Sequence, residues 1–328
     1  MTRRAFIQTG LGLGLLAHMP LKAASRLYWQ NTNFTGLGTT LSIRAAHEDA
    51  ATLDAALAEA RQVVARIEDQ MSLFRATSAI QRLNRDGVLH KPPSDLLRVL
   101  ELSQHMASQS HGAFDVTVQP LWALYADAQK QGRLPTAAQI QATRQLVGWQ
   151  HMHVSPERIE FAKPAMRITL NGIAQGYASD LVREQLQRAG VPHALINAGE
   201  WSSLGQAQGR RDWVLGIADP HKAGHLVARL RMAGLCVATS ADDQCAFSED
   251  HVHHHILDPE TGYSPSDVSS VTVVAKTCTQ ADALTKVLFV GGYANALHLA
   301  RAWHVEALVV HKDGRWKATP ELSRQVTA

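Results

Sequence analysis

Cysteine is scarce: Cys236, Cys245 and Cys278 are the only three in 328 residues. So small and odd a number excludes a disulfide-built scaffold and allows at most one internal disulfide. Cys236 lies in the apolar run Leu235-Cys236-Val237, where burial as a small hydrophobe is the default, and no metal spacing links the three. Repeats and low-complexity linkers are absent. Excess charge is confined to the first 24 residues. Arg3, Arg4 and Lys22 carry as much positive charge as the formal net charge of +3, so the remainder is balanced. Nothing in that balance argues for nucleic acid or a membrane surface. Neither a Rossmann fingerprint nor a P-loop is present, because the glycine spacing and the P-loop lysine are missing.

What is there begins with a leader. Met1-Thr2-Arg3-Arg4-Ala5-Phe6 precedes an apolar stretch from Leu11 to Met19, then small residues at Ala23 and Ala24. A charged start, a short apolar run and a small-residue cleavage point read as a signal peptide over residues 1–24. The apolar stretch is too short to span a bilayer, so no integral membrane segment is expected after cleavage. The paired arginines before Phe6 resemble a twin-arginine signal, which predicts a periplasmic protein.

The whole chain is 45% hydrophobic and 19% charged, enough for a packed core. Apolar spacing predicts helices over 49–70, 94–109, 136–146, 176–189 and 280–302, the last broken at Gly291-Gly292. Strands are predicted at 40–44, 158–161, 166–170, 194–197, 213–218, 226–232, 236–238, 253–257, 271–275 and 306–311. Helices and strands mix without strict alternation, which favours a single α+β domain from residue 26 onward over a doubly wound parallel sheet.

Four segments carry possible chemistry. Thr169 to Asp180 joins a strand to a helix through Gly172 and Gly176, a turn whose backbone N–H groups can approach a phosphate; taken alone, a plain tight turn fits better. Ile196-Asn197-Ala198-Gly199-Glu200-Trp201 ends a strand, where ligands often sit, or simply caps a loop. His251 to Gly262 places His253 and His255 on one strand face. Zinc there lacks a third ligand at typical spacing, so a base or a phosphate hydrogen-bonder fits better. In Ala281-Asp282-Ala283-Leu284-Thr285-Lys286, helical spacing puts Thr285 and Lys286 beside Asp282. Oxygen ligands for Mg²⁺ and a helical ion pair are both open.

Taken in order, these motifs resemble the ApbE family of flavin transferases (FAD:protein FMN transferases). The matching pieces are Leu37-Gly38-Thr39, Met71 to Arg75 with Ser78 and Asn84, Gly112 to Leu121, and the Gly172 to Asp180 turn. Asn197-Ala198-Gly199, Ala238-Thr239-Ser240, His254 to Pro259 with Thr261-Gly262, and Ala281 to Leu284 follow. The resemblance implies a T-fold-related α+β domain of mixed sheets packed with helices. It implies transfer of FMN from FAD to a Thr or Ser hydroxyl of a periplasmic or membrane-attached redox protein, releasing AMP, with Mg²⁺ on the pyrophosphate. By the same resemblance Leu37, Phe74, Ala113, Phe114 and Asp115 line the flavin nucleotide pocket, and Thr169, Gln175 and Ile256 contact the nucleotide. The metal takes the Gly172 carbonyl and the side chains of Asp282 and Thr285; Asp282 is thereby catalytic, and His255 accepts the hydroxyl proton. Three positions depart from the family pattern: Gln175 stands for a lysine, Glu200-Trp201 for a Gly-Asp pair, and Lys286 for a metal-holding threonine. Two rivals stay open: FAD binding without transfer, and hydrolysis of FAD to FMN and AMP.

Overall fold

A computed structural model describes residues 27–327; the leader lies outside the described residues. In chain order the strands are β1 (Tyr28–Gly36), β2 (Thr39–His47), β3 (Val88–His90), β4 (Met152–Val154), β5 (Arg158–Phe161), β6 (His193–Asn197) and β7 (Trp201–Leu204). They continue as β8 (Trp213–Ala218), β9 (Leu226–Met232), β10 (Cys236–Ala241), β11 (Val268–Ala275), β12 (Glu306–His311), β13 (Trp316–Ala318) and β14 (Val326–Thr327). The helices are α1 (Ala50–Met71), α2 (Ala79–Asp86), α3 (Ser94–Gln109), α4 (Gln119–Lys130), α5 (Ala137–Arg144), α6 (Ala174–Arg188), α7 (Cys278–Val290), α8 (Gly292–Ala302) and α9 (Pro320–Gln325).

Local chemistry explains the main helices. In α1 the apolar residues Leu53, Ala56, Leu57, Ala60, Val63, Val64, Ile67 and Met71 recur at three and four, forming one buried stripe. Asp49 starts the helix by accepting from the Thr52 N–H at 2.6 Å. Thr277 caps α7 in the same way through the Gln280 N–H. The Asp180 carboxylate on α6 also accepts from the Cys278 and Thr279 N–H groups, so α6 holds the start of α7.

An eight-stranded sheet runs in the spatial order β1-β2-β6-β7-β10-β11-β12-β13. Every strand pair among the described residues is antiparallel, which makes the fold α+β as the mixed pattern predicts. Over β11 and β12 both faces of the sheet are covered. Val271, Val273, Ala307 and Val309 point to the core shared with α7 and α8. Their neighbours Val274, Leu308 and Val310 point to a second core under the small sheet β14-β9-β8. That is why β11 is buried at every position and shows no polar alternation. A third sheet, β3-β5-β4, packs near α2 and α3.

Two expected strands are not strands. Met166 to Leu170 has the alternating pattern, but its backbone is held by a side chain: Asn84 Nδ2 donates to the Ile168 carbonyl at 2.9 Å, and the Ile168 N–H donates to Asn84 Oδ1 at 2.8 Å. His253 to Leu257 forms one isolated bridge, His254 to Ala246, then turns at Asp258-Pro259. The Ser264 hydroxyl takes the His254 N–H, so the ladder stops there. The cysteines also do more than spacing suggests. Packing of α6 against α7 brings Cys236, Cys278 and Asp180 together, their ligand atoms within 4.8 Å of one another. All three thiols are free, and Asp180 is committed to capping α7.

Candidate active site

A cavity of about 650 Å³ opens beside the start of α6. That is an ordinary size for a small-molecule or cofactor site. Its floor comes from the turn before α6 (Thr169, Asn171, Gly172, Gln175) and from Lys286 on α7. Ala113, Phe114 and Asp115 line it as well, together with Glu200, Thr239, Ser240, His255, Ile256 and Phe74. Phe74 is 77% exposed, a large apolar ring available for stacking.

The turn and α7 are in direct contact. The Gly176 N–H donates to Asp282 Oδ2 at 3.1 Å. A Cβ on Gly176 would lie 2.4 Å from the Cys278 carbonyl oxygen, so only glycine permits this approach. Gly199, at φ +112°, is likewise pressed against the Gln175 side chain. Gln175 reaches Leu37 by donating to its carbonyl at 3.4 Å. Leu37 itself sits in the β1–β2 turn behind Gln175 and does not line the cavity.

The buried charges are concentrated here. Asp282 is fully buried, and Lys286 Nζ lies 2.5 Å from its Oδ1 and 3.2 Å from its backbone carbonyl oxygen. Thr285 donates to that same carbonyl at 2.6 Å, and its hydroxyl lies 2.7 Å from that of Ser240. Glu200 is buried as well. Burial and the Asp282 charge push its carboxyl well up, against the pull of the Lys286 ammonium. Asp115 is spent on structure: its carboxylate accepts from the Thr117 N–H and hydroxyl and from the Trp149 N–H.

The expected Mg²⁺ set therefore meets a different arrangement. Both Asp282 oxygens have donors, and the Thr285 hydroxyl faces Ser240 and a helix carbonyl. An ammonium occupies the space between Asp282 and the Gly172 turn. Octahedral oxygen coordination at about 2.1 Å needs free oxygens and no adjacent ammonium. The donor set as arranged does not fit a divalent ion.

His255 and His254 differ in role. His255 Nδ1 lies 3.2 Å from the Cys245 carbonyl oxygen and donates to it, which leaves Nε2 as the basic nitrogen. Burial and the Lys286 charge lower its pKa to about 4. His254 is enclosed: Nε2 donates to the Pro265 carbonyl, Nδ1 accepts from the Ile256 N–H, and Phe289 packs edge-on. Burial, with Lys312 and His255 nearby, lowers it to about 4 also, against the opposing Asp242 charge. Both rings are thus neutral when folded and bind protons more readily when unfolded. The stability they lend is complete above pH 6.5 and is lost as pH falls from there to 4. We expect a loss of up to about 3 kcal/mol for each ring across that window. Urea midpoints measured from pH 7.5 to 4.5 check it; His254→Asn should flatten the slope.

Most of the residues singled out in the sequence meet at this cavity: Phe74, Ala113, Phe114, Asp115, Thr169, Gly172, Gln175, His255 and Ile256 line it. Asp282 and Thr285 stand directly behind Lys286. Sequence reasoning did not place Trp122, Arg167 or Gln244, which also line it and carry no motif.

A partly open cavity with one polar, glycine-built end, set among antiparallel sheets and packed helices, defines a small-molecule-binding α+β protein. The chain belongs to the ApbE family, whose model matches residues 37–309. It is similar to proteins named FAD:protein FMN transferase. That of Vibrio cholerae is 29% identical over 84% of this chain and 85% of its own length. That of Klebsiella pneumoniae is 30% identical over 77% and 81%. The apo flavinyl transferase ApbE of Pseudomonas stutzeri has the same fold, with TM-score 0.80 and 26% identity over 91% of this chain and 97% of that one. The Thermotoga maritima ApbE protein matches in fold at TM-score 0.82, with 24% identity over 92% and 100%.

Proposed function

We propose that this chain transfers the FMN half of FAD to a Thr or Ser hydroxyl of a target protein. The observation that carries the reading is the meeting of the Gly172 turn, Asp282–Lys286 and His255 around one cavity. The names of the similar proteins favour transfer over simple FAD binding or FAD hydrolysis.

In this reading the isoalloxazine stacks near Phe74 and Phe114, and the pyrophosphate lies over the turn at Gly172 and Gln175. The positive end of the α6 dipole favours its charge there. The target hydroxyl oxygen bonds to the FMN phosphorus as the bond to the AMP phosphate breaks, and AMP leaves with that bridging oxygen. The hydroxyl proton passes to His255 Nε2, which is unprotonated across the neutral range because of its low pKa. No step is assigned to Mg²⁺, which the donor set does not fit.

The leader supports export to the periplasm by the twin-arginine route, and so a periplasmic or membrane-attached redox protein as the target. The test is incubation of the purified chain with FAD and a Thr-bearing target. Mass spectrometry should show a target heavier by one FMN phosphoester, with equimolar AMP; free FMN and an unchanged target would reject transfer. His255→Ala is expected to slow transfer by about 10²–10⁴-fold while FAD binding persists. Single-turnover AMP release, with FAD fluorescence alongside, separates the two effects.

A further inference from the structure

We infer that Lys286 is the cation of this site, so that the chain holds and activates the FAD pyrophosphate without a divalent metal. The inference rests on the flavin reading above and deepens it.

An Asp and a Lys four apart on a helix usually form a solvated surface pair. This pair is different. Asp282 is fully buried, and the Lys286 side chain, 21% exposed, runs inward to line the cavity. Its stem passes over the turn before α6 so closely that a Cβ on Gly172 would lie 3.1 Å from Lys286 Cε and 3.5 Å from Cδ. The ammonium is thereby fixed where the Gly172 turn, the Asp282 carboxylate and the cavity meet. An ammonium has three N–H donors. Asp282 Oδ1 and the Asp282 carbonyl take two. The third is left for a ligand in the cavity, and a phosphate oxygen is the acceptor that best matches a compact fixed positive charge.

The surroundings agree. Gln175, at the helix start, offers hydrogen bonds and no charge. Glu200 and Asp282 are two buried carboxyl groups close enough to influence each other, with the Lys286 charge acting on both. A divalent ion added beside that ammonium meets twice its charge in repulsion at short range.

The experiment uses the full chain with FAD. Mn²⁺ serves as the metal probe, read by its paramagnetic resonance signal, and FAD affinity is read by fluorescence in EDTA and in Mg²⁺. Wild-type protein saturated with FAD is expected to retain no Mn²⁺, and its FAD affinity to be the same in both media. Lys286→Thr is expected to lose roughly tenfold or more in FAD affinity in EDTA, and to recover it with Mg²⁺ while retaining Mn²⁺. Lys286→Arg keeps the charge and should remain indifferent to chelation. Stoichiometric Mn²⁺ on the wild-type FAD complex, or an FAD affinity that collapses on chelation, overturns the inference and leaves the flavin reading standing. Absence of FAD binding in either medium overturns the flavin reading itself, and the inference with it. The wild-type measurements decide the matter whether or not the Thr variant folds.

Discussion

Replacing Asp282 by Ala should both destabilise the chain and abolish transfer. The carboxylate is fully buried and satisfies two groups at once, the Gly176 N–H and the Lys286 ammonium. Its removal leaves a buried backbone donor unpaired and a partly buried cation without its counter-ion. Breaking a buried pair from one side costs about 3–5 kcal/mol. The lower end applies here, because Lys286 can turn toward the cavity and regain water. Transfer should fall by about 10³-fold or more, since the ammonium is no longer fixed and the start of α6 is no longer tied to α7. Asp282→Asn keeps an acceptor for Gly176 and should unfold later than the Ala variant. In the double variant Asp282→Ala with Lys286→Met, the stranded charge is gone and much of the stability should return while activity does not. Urea unfolding of these three proteins and of Lys286→Met alone measures it; a double-variant loss equal to the sum of the two single losses would show that the pair is not coupled.

The second large effect is expected at Gly176. An alanine methyl there would sit 2.4 Å from the Cys278 carbonyl oxygen and 2.8 Å from Asp282 Cβ. Neither neighbour is the loose end of a flexible side chain, so the two helices must separate. Overpacking of this kind costs about 1–3 kcal/mol and more where backbone must move. Separation also breaks the Gly176–Asp282 hydrogen bond, so FAD affinity should fall in step with stability. Gly112, which has open space around a Cβ but φ +87°, is the control. Its Ala variant should lose only the cost of the left-handed backbone, on the order of 1 kcal/mol, and keep FAD binding.

Much of the architecture is legible in the residues themselves. The helix at 94–109 was expected at the bounds it has, because Pro93-Ser94-Asp95 marks its start and its apolar stripe runs unbroken. The break at Gly291-Gly292 separates α7 from α8. Met166 to Leu170 misleads for a physical reason. It buries Met166, Ile168 and Leu170 as a strand would, yet the Ile168 backbone pairs with the side chain of Asn84, 84 positions away. No local pattern encodes that partner. The small motifs around the cavity could be read only in order, as a resemblance. Their meeting depends on α6 packing against α7. Glu200 was visible as a departure, but its burial beside Asp282 is a tertiary fact. The same holds for Cys236, Cys278 and Asp180, which lie far apart in sequence and share one corner of the fold.

The pairing of β2 with β6 places Ser42 opposite Asn197 and Ala46 opposite His193. The β1–β2 hairpin therefore finds its next neighbour only after about 150 further residues have emerged. Until then β1 and β2 are a two-stranded ribbon, marginal in water by itself, with an open edge ready to pair with whatever is near. Nascent chains truncated before residue 193 should thus be sticky and protease-sensitive at their amino-terminal end, and the protection should arrive abruptly once β6 is out.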